Sequence, residues 1–206
     1  MRQQYAQPKA LDPEMYLAPE QLDQLREYAR AQAVRYKNLR ARTDWLIVEI
    51  LALAGLRAAE VCDLRIADLP VTHKKPCLIV RRGKGSRGRG PKRRSVDISQ
   101  HLIDIIEVYC RQYRPDAEPN EPLFLGAHGR ALHYRVLYNK VRRLGSACGL
   151  RVHPHMLRHS AAVKMYGIEH DLLWVQNQLG HEDPRTTTIY AQTLNPAARR
   201  QADQMK

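Results

Sequence analysis

The sequence predicts a mainly α-helical domain with a small antiparallel β-sheet, an α+β class. Apolar residues recur at helical spacing through most of the 206 residues, often behind a capping residue. Two short runs of strand-forming residues, 77–80 and 95–98, flank a glycine-rich segment, as the strands of a hairpin do. No internal repeat is visible. A chain of this length fits one ordinary domain with short extensions.

The first helices are marked by their ends. Pro19 opens a helix with apolar residues at helical spacing, because proline is favoured at the first helical position. Thr43 and Asp44 form a typical N-cap for a second helix, which ends at Gly55. This second helix is apolar on most faces, so we expect it at the centre of the core. A short helix over 58–64 follows.

The segment between the two predicted strands, RRGKGSRGRGPKRR at 81–94, has eight basic residues, four glycines and no acid. It predicts phosphate contacts by a basic hairpin, although a solvated loop would have the same composition. The side chains expected to bind DNA here are Arg81, Arg82, Arg87, Arg89, Lys92, Arg93 and Arg94.

Five further helices are predicted after the hairpin. Ser99 is the N-cap of the first, which spans 102–113 and has Ile103, Ile106 and Val108 as core candidates. The later helices are expected at about 134–147, 155–166, 171–179 and 184–192.

The composition favours a polyanionic partner. The formal net charge is +13 and the sequence pI is about 9.9, which points to nucleic acid ahead of membrane. A basic protein of another kind remains open on charge alone. No run approaches the roughly 18 apolar residues of a membrane span, and we expect no membrane partner.

The cysteines and the N-terminus indicate a cytoplasmic protein. Cys62, Cys77, Cys110 and Cys148 form no C-x-x-C pair, so we expect reduced, mostly buried thiols and no zinc site. The polar N-terminal residues do not resemble a signal peptide.

Five elements of sequence carry the groups needed to cleave a phosphodiester. The motifs GLRAAE (55–60), GKG (83–85), HPHMLRHS (153–160) and LGH (179–181) precede Tyr190. Arginine and histidine donors stabilise the charge that develops on a phosphodiester in its transition state. A tyrosine oxygen can attack phosphorus and form a covalent intermediate. Fixed cations would replace a metal here, and we expect no cofactor and no metal.

Taken singly, each motif also fits a structural role. Arg57 and Glu60 would form a surface ion pair worth less than about 1 kcal/mol. The residues at 155–158 would belong to a capped helix with surface charges, and His159 is expected to point into packing. Tyr190 would be an ordinary core or surface tyrosine.

In this order the motifs resemble those of the tyrosine recombinase, or phage integrase, family. The resemblance covers about residues 17–195 and implies the catalytic-domain fold of that family. The segment HPHMLRHS further resembles the short fimbrial phase-switch recombinases. Ahead of the region of resemblance the sequence has room only for a short arm, so we do not expect the family's separate N-terminal helical domain or the usual closed clamp around DNA.

The resemblance also implies the roles of individual residues. The expected catalytic residues are Arg57, Lys84, His155, Arg158, His181 and Tyr190, with Glu60 supporting Arg57. Because the basic loop is longer than the family's usual G-K-G-x-K-x-R pattern, Lys92 competes with Lys84 as the general acid.

We expect a flexible arm at 1–16, a catalytic domain at 17–195 and a tail at 196–206. The tail either packs on a neighbouring protomer or folds back. Expected partners are duplex DNA and further copies of the chain, as a dimer or tetramer, on nucleoid DNA.

The reaction implied is site-specific recombination of the integrase or invertase type, through a 3′-phosphotyrosyl intermediate. Three alternatives remain open: a DNA-binding regulator without strand-transfer activity, a type IB topoisomerase or hairpin telomere resolvase, and an unrelated basic adaptor. Inversion, integration and excision are not distinguished by the sequence.

Overall fold

The computed structural model describes residues 11–69, 76–81, 93–181, 183 and 185–194. Within these ranges the chain is mainly helical with a small antiparallel sheet, which confirms the predicted class. The α-helices are α1 (Pro19–Tyr36), α2 (Leu39–Glu49), α3 (Ala58–Cys62), α4 (Gln100–Tyr113), α5 (Tyr134–Ala147), α6 (Pro154–Glu169), α7 (Leu172–Leu179) and α8 (Arg185–Leu194). The strands are β1 (Cys77–Val80) and β2 (Arg94–Asp97).

Helix α2 begins several residues before the predicted N-cap. Asn38 caps it, because its side-chain oxygen accepts a hydrogen bond from a backbone N–H of the first turn at 2.9 Å. The prediction that Thr43 and Asp44 form the cap is therefore wrong. Asp44 is instead 4% exposed within the helix. It pairs with Arg143 and, at 2.6 Å, with Lys140. A buried acid needs such partners, and these join α2 to α5.

The second half of the α2 segment, Ile50–Ala54, continues as a π-helical stretch and ends at Gly55, as predicted. Gly55 has φ +63°, and a Cβ there would lie 2.9 Å from Leu179 Cδ2. Glycine is therefore required both by the backbone conformation and by the close approach of the end of α7. This end of α2 leads directly to Arg57.

The sheet connects the basic hairpin to the rest of the fold. Leu78 pairs with Val96, and both side chains are fully buried. Strand β2 begins one residue before the predicted 95–98. The side-chain amide oxygen of Gln178 accepts a hydrogen bond from the backbone N–H of Asp97 at 2.9 Å, which fixes β2 against the C-terminal end of α7.

The structure confirms most of what the sequence predicts for α4. Ser99 is the N-cap, and Ile103 and Ile106 are buried. The prediction for Val108 is wrong, because this side chain is 38% exposed. At about 100° per residue, a position two after Ile106 lies on the far side of the helix, and Ile105 occupies the core instead.

A second hydrophobic cluster lies where α6, α7 and α8 meet. Leu11, 8% exposed, belongs to it, and its backbone N–H donates to Thr193 Oγ1 at 3.0 Å. The backbone N–H of Leu17 likewise donates to Ser160 Oγ at 2.8 Å. The described part of the predicted arm, residues 11–16, is thus joined to the domain by packing and hydrogen bonds.

The cysteines differ in part from expectation. All four thiols are free, but Cys62 is buried whereas Cys77, Cys110 and Cys148 are half-buried. Over the described ranges no helix has the length and apolarity needed to cross a bilayer. In the same ranges no three His, Cys, Asp or Glu side chains are grouped as metal ligands.

Candidate active site

The site is organised around the carboxylate of Glu60, on the first turn of α3. Glu60 is 5% exposed and accepts from the backbone N–H of Arg57 at 2.8 Å and from its guanidinium at 2.9 Å. It also accepts two hydrogen bonds from Arg94, at 2.8 and 2.9 Å. A guanidinium nitrogen of Arg158 lies 3.9 Å away. One buried acid therefore holds two arginines and faces a third.

The protonation state of Glu60 follows from these partners. Burial alone would raise its pKa, but the hydrogen bonds and positive charges of Arg94 and Arg57 outweigh burial and hold the pKa below its ordinary value. Glu60 is therefore ionised at neutral pH, and it fixes the orientation of Arg57 through charge-assisted hydrogen bonds.

Arg158 lies at the C-terminal ends of two helical segments. Its guanidinium donates to the carbonyl oxygen of Gly55 at 2.7 Å and to that of Leu179 at 2.8 Å. The residue is 2% exposed. Burial, with the charge of Arg57, lowers its pKa to about 10, so it remains a cation at neutral pH. Unpaired carbonyls at helix ends are natural acceptors for such a cation.

Arg57 is the more accessible of these two guanidiniums. Its side chain is 31% exposed, and besides Glu60 it donates to the carbonyl oxygen of Gly180 at 3.3 Å. It lies between α2 and α3, where Gly55 ends the preceding helix. An anion approaching the site would meet this side chain before Arg158.

His181 follows the left-handed glycine that ends α7. Its ring Nδ1 lies 3.0 Å from Thr187 Oγ1 of α8, and its carbonyl oxygen accepts from the Gln176 side chain at 3.1 Å. Burial, reinforced by Arg158, lowers the pKa of His181 to about 3. The ring is therefore neutral, and it stacks near the Tyr190 ring with centroids 6.1 Å apart.

Tyr190 is in the interior, at 1% exposure, on α8. Burial raises the pKa of its phenol to about 12, while the charges of Arg158 and Arg57 act in the opposite direction. The positive charges of these two guanidiniums thus act on the phenol and favour its ionised form. Its hydroxyl lies 3.1 Å from Nδ1 of His159.

The sequence predicts that the His159 ring points into packing, and the half-buried ring does pack against Tyr190. Its Nδ1 also lies at hydrogen-bond distance from the phenol oxygen, which the sequence did not predict. His155 is exposed, and its ring lies against that of His159 with centroids 4.2 Å apart. Although the residue is exposed overall, partial burial, with the charges of Arg158, His153 and Arg57, lowers the pKa of His155. The two imidazoles thus form a row from the phenol to the surface.

The basic residues of the hairpin have unequal environments. Arg93 is exposed, and its predicted contact with DNA stays a prediction. Arg94 is not: its side chain is 13% exposed, bound to Glu60, and donates through Nε to the carbonyl oxygen of Gln178 at 3.2 Å. Arg81 pairs with Asp68 while remaining 42% exposed. Arg94 is therefore held by an internal ion pair in the described structure, and its DNA contact stays a prediction.

The remaining predicted residues of this segment fall outside the described residues. They are Lys84, Arg82, Arg87, Arg89 and Lys92.

The described site thus joins residues that are more than a hundred positions apart in the sequence. It combines a carboxylate-held pair of guanidiniums, a third buried guanidinium, neutral imidazoles and a phenol. This set of donors suits an anionic oxygen in a low-dielectric environment. Sequence reasoning assigned Arg94 to DNA and His159 to packing and so missed their place in this cluster, although the spacing of four between His155 and His159 on a helix was a visible sign that their rings could meet.

Comparison with known proteins agrees with this geometry. A model of the phage integrase family matches residues 15–195. The tyrosine recombinase XerA of Pyrococcus horikoshii is 37% identical over 172 residues, which are 82% of this chain and 56% of that protein. A crystal structure of XerA recombinase superimposes with a TM-score of 0.71 at 25% identity, covering 100% of this chain and 67% of that one.

A second solved structure is the XerH site-specific recombinase bound to difH substrate in a pre-cleavage complex. It has a TM-score of 0.69 at 28% identity and covers 92% of this chain and 53% of that chain. The present chain spans about half the length of the curated relatives it matches. Neither XerA nor XerH is named as a fimbrial switch recombinase, so that finer resemblance stays a prediction. The buried Glu60–arginine cluster, the catalytic-domain fold and the match over 15–195 agree, and the chain belongs to the phage integrase (tyrosine recombinase) family.

Proposed function

We propose that this chain is the catalytic part of a site-specific DNA recombinase that cleaves and rejoins duplex DNA through a 3′-phosphotyrosyl bond. The observation that carries the proposal is the position of the Tyr190 ring, which stacks on His181 directly after the Leu179 and Gly180 carbonyls that bind Arg158 and Arg57. A nucleophile beside fixed cations is the minimum that phosphodiester cleavage needs. The extent proposed for the catalytic domain is 17–195.

In the proposed reaction Tyr190 attacks the scissile phosphate and a 5′-hydroxyl leaves. Arg57, Arg158 and His155 bind the non-bridging oxygens and stabilise the charge of the pentacoordinate transition state. The covalent bond conserves the energy of the phosphodiester, so rejoining needs no nucleotide. Attack by a 5′-hydroxyl from another duplex then exchanges strands.

Two further side chains have supporting roles in this proposal. His181 positions the nucleophile, which is consistent with its contact to Thr187 on α8 and its stacking on the Tyr190 ring. Lys84 protonates the departing 5′-oxygen, a general-acid role typically worth ~10²–10⁴-fold in rate. Lys92 is the alternative donor.

The observed arrangement is closed. Tyr190 and Arg158 are 1% and 2% exposed, so a DNA phosphate reaches them only after a local opening, which we expect on the side of the accessible Arg57. The phenol and the cations already belong to one site, so the opening has to admit the phosphate and does not have to assemble the cluster.

The proposed partners are duplex DNA and other copies of the chain. Exchange between two duplexes requires at least two active protomers on DNA, which fits a dimer or tetramer. The net charge of +13 supports binding to the phosphate backbone. A substrate of this kind would locate the activity at nucleoid DNA.

Covalent capture from a random pool tests the proposal and selects the DNA target in the same step. A pool of duplexes with a randomised core and a nick in one strand is incubated with the chain, and the DNA that stays attached in detergent is sequenced. The nick releases a short strand on cleavage, so adducts accumulate. We expect the wild type to enrich a defined sequence.

Two variants complete the capture experiment. Tyr190→Phe should bind the enriched DNA but form no adduct. Tyr166→Phe, at a tyrosine packed on the same hydrophobic cluster, should form adducts at the wild-type level. Adducts that persist in Tyr190→Phe, or their absence in the wild type, would overturn the proposal. Relaxation of any supercoiled plasmid, with no enriched sequence, would favour a topoisomerase instead.

A further inference from the structure

The hydroxyl of Tyr190 has a partner that the family motifs do not assign, the ring of His159. We propose that His159 accepts the phenolic proton of Tyr190 during DNA cleavage and returns it during rejoining. This inference rests on the proposed function and deepens it, since it concerns the same site.

The first argument is contact. His159 Nδ1 lies 3.1 Å from the phenol oxygen, and the two ring centroids are 5.9 Å apart. The distance is that of a hydrogen bond to the attacking atom itself. His155, in contrast, lies one ring further away, against His159.

The second argument is burial. Tyr190 is 1% exposed, so its proton cannot pass directly to bulk water in this arrangement and needs an acceptor inside the protein. His159 is half-buried and His155 is exposed. The His155 ring packs edge-on against that of His159, with centroids 4.2 Å apart, so His159 lies between the phenol and the surface.

The third argument is protonation. Burial, together with His155 and the charges of Arg158 and His153, lowers the pKa of His159 to about 4. The ring is neutral at physiological pH and has one bare nitrogen. With the proton on Nε2, Nδ1 accepts the hydrogen bond from the phenol.

A weakly basic ring is sufficient to accept the phenolic proton, because the proton is transferred while the bond to phosphorus forms. As the bond between the Tyr190 oxygen and phosphorus forms, the proton moves to His159 Nδ1, and the bond between phosphorus and the 5′-oxygen breaks. The departing oxygen takes its proton from a separate donor, proposed above to be Lys84. The bound phosphate also adds negative charge near the ring, which favours its protonated form.

The test compares two leaving groups on the DNA obtained by covalent capture. In one duplex the scissile phosphate has the natural 5′-oxygen. In the other a 5′-bridging sulfur replaces it, which leaves without a proton. The cleavage rate is measured under single-turnover conditions for the wild type, His159→Ala, His159→Asn and Lys84→Ala, with unfolding and DNA affinity measured alongside.

If His159 accepts the proton, His159→Ala should cleave the natural duplex ~10²–10⁴-fold more slowly, and sulfur should not restore the rate. The cleavage rate of Lys84→Ala, in contrast, should recover on the duplex with the 5′-bridging sulfur. His159→Asn keeps an acceptor near the Nδ1 position but takes no proton, so it should remain as slow as His159→Ala. His170→Asn, at the exposed left-handed C-cap of the same helix, is the control and should cleave normally.

Other results overturn the inference. A His159→Ala rate within a few fold of the wild type removes His159 from the reaction. Recovery of the His159→Ala rate on the sulfur duplex would indicate that His159 protonates the leaving group. Full activity in His159→Asn would indicate that His159 only positions the phenol. If His159→Ala does not fold, His159→Asn decides alone. Failure of the wild type to form any adduct would instead overturn the proposed function, a result distinguishable from all of these.

Discussion

Replacing Arg94 by alanine tests whether the basic residues of the segment 81–94 are all exposed phosphate contacts, or whether Arg94 is instead part of the buried site. The Arg94 side chain is 13% exposed and makes two hydrogen bonds, at 2.8 and 2.9 Å, to Glu60, whose side chain is 3% exposed. Removing one partner of a buried ion pair costs ~3–5 kcal/mol when the remaining charge is left alone. Because Glu60 keeps Arg57, we expect a smaller loss of about 2–3 kcal/mol.

The assay is urea unfolding, with Arg93→Ala as the matched control. Arg93 is the preceding residue and is exposed, so its removal should change the free energy of unfolding by less than ~0.5 kcal/mol. In DNA binding the pattern should reverse. Arg93→Ala should lower the slope of log affinity against log salt by about 1, as loss of a phosphate contact does, whereas Arg94→Ala should leave this slope unchanged.

Equal stability of the two variants would refute this reasoning about Arg94. So would a lowered salt slope in Arg94→Ala without loss of stability, since that is the behaviour of a solvent-exposed phosphate contact. Arg94→Lys refines the test, because a lysine cannot reproduce the two parallel hydrogen bonds and should fall between the wild type and Arg94→Ala.

Two further predictions concern the same cluster. Gly180 has φ +66° and an added Cβ would lie 2.8 Å from Arg94 Nε, whereas Gly129 has φ +70° and no atom within 4 Å. Gly180→Ala should therefore destabilise by ~3 kcal/mol and Gly129→Ala by ~1 kcal/mol in urea unfolding; equal losses would contradict the close approach. Because its pKa is lower in the folded chain, Glu60 stabilises the fold above its ordinary pKa of about 4.3, and this contribution is lost as pH falls through the folded value. The stability gap between the wild type and Glu60→Gln should thus be largest near neutral pH and shrink below about pH 4; a gap independent of pH would contradict the pairing.

Much of the fold is visible in local signals. Pro19 opens α1, Ser99 caps α4 and Gly55 ends the central helical segment, as predicted. Each of these depends on backbone geometry that a single residue type favours, so neighbours in the sequence are enough to identify it.

The two errors in the fold have different causes. Asp44 has the chemistry of a cap, but Lys140 and Arg143 of α5, far away in the sequence, give it a buried ionic role that local patterns do not contain. Val108 is apolar, but two positions after Ile106 it lies on the far side of α4, which helical periodicity alone would have indicated.

The site likewise has features that the sequence motifs predicted and features that they did not. The motif order predicted its family, now established by the match over 15–195. The motifs did not indicate that Arg94 lies inside the cluster, because eight basic residues at 81–94 look alike in sequence. Nor did they give the direction of the His159 ring, which depends on how α8 packs against α6.

Mapping the covalent adduct tests the central proposal most directly. The enriched duplex is captured by the wild-type chain, the DNA is trimmed with nuclease, and the tryptic peptides are sequenced by mass spectrometry. We predict a nucleotide joined through its 3′-phosphate to Tyr190, in the peptide 186–199. A nucleotide on any other residue, or a 5′-phosphate linkage, would contradict the account.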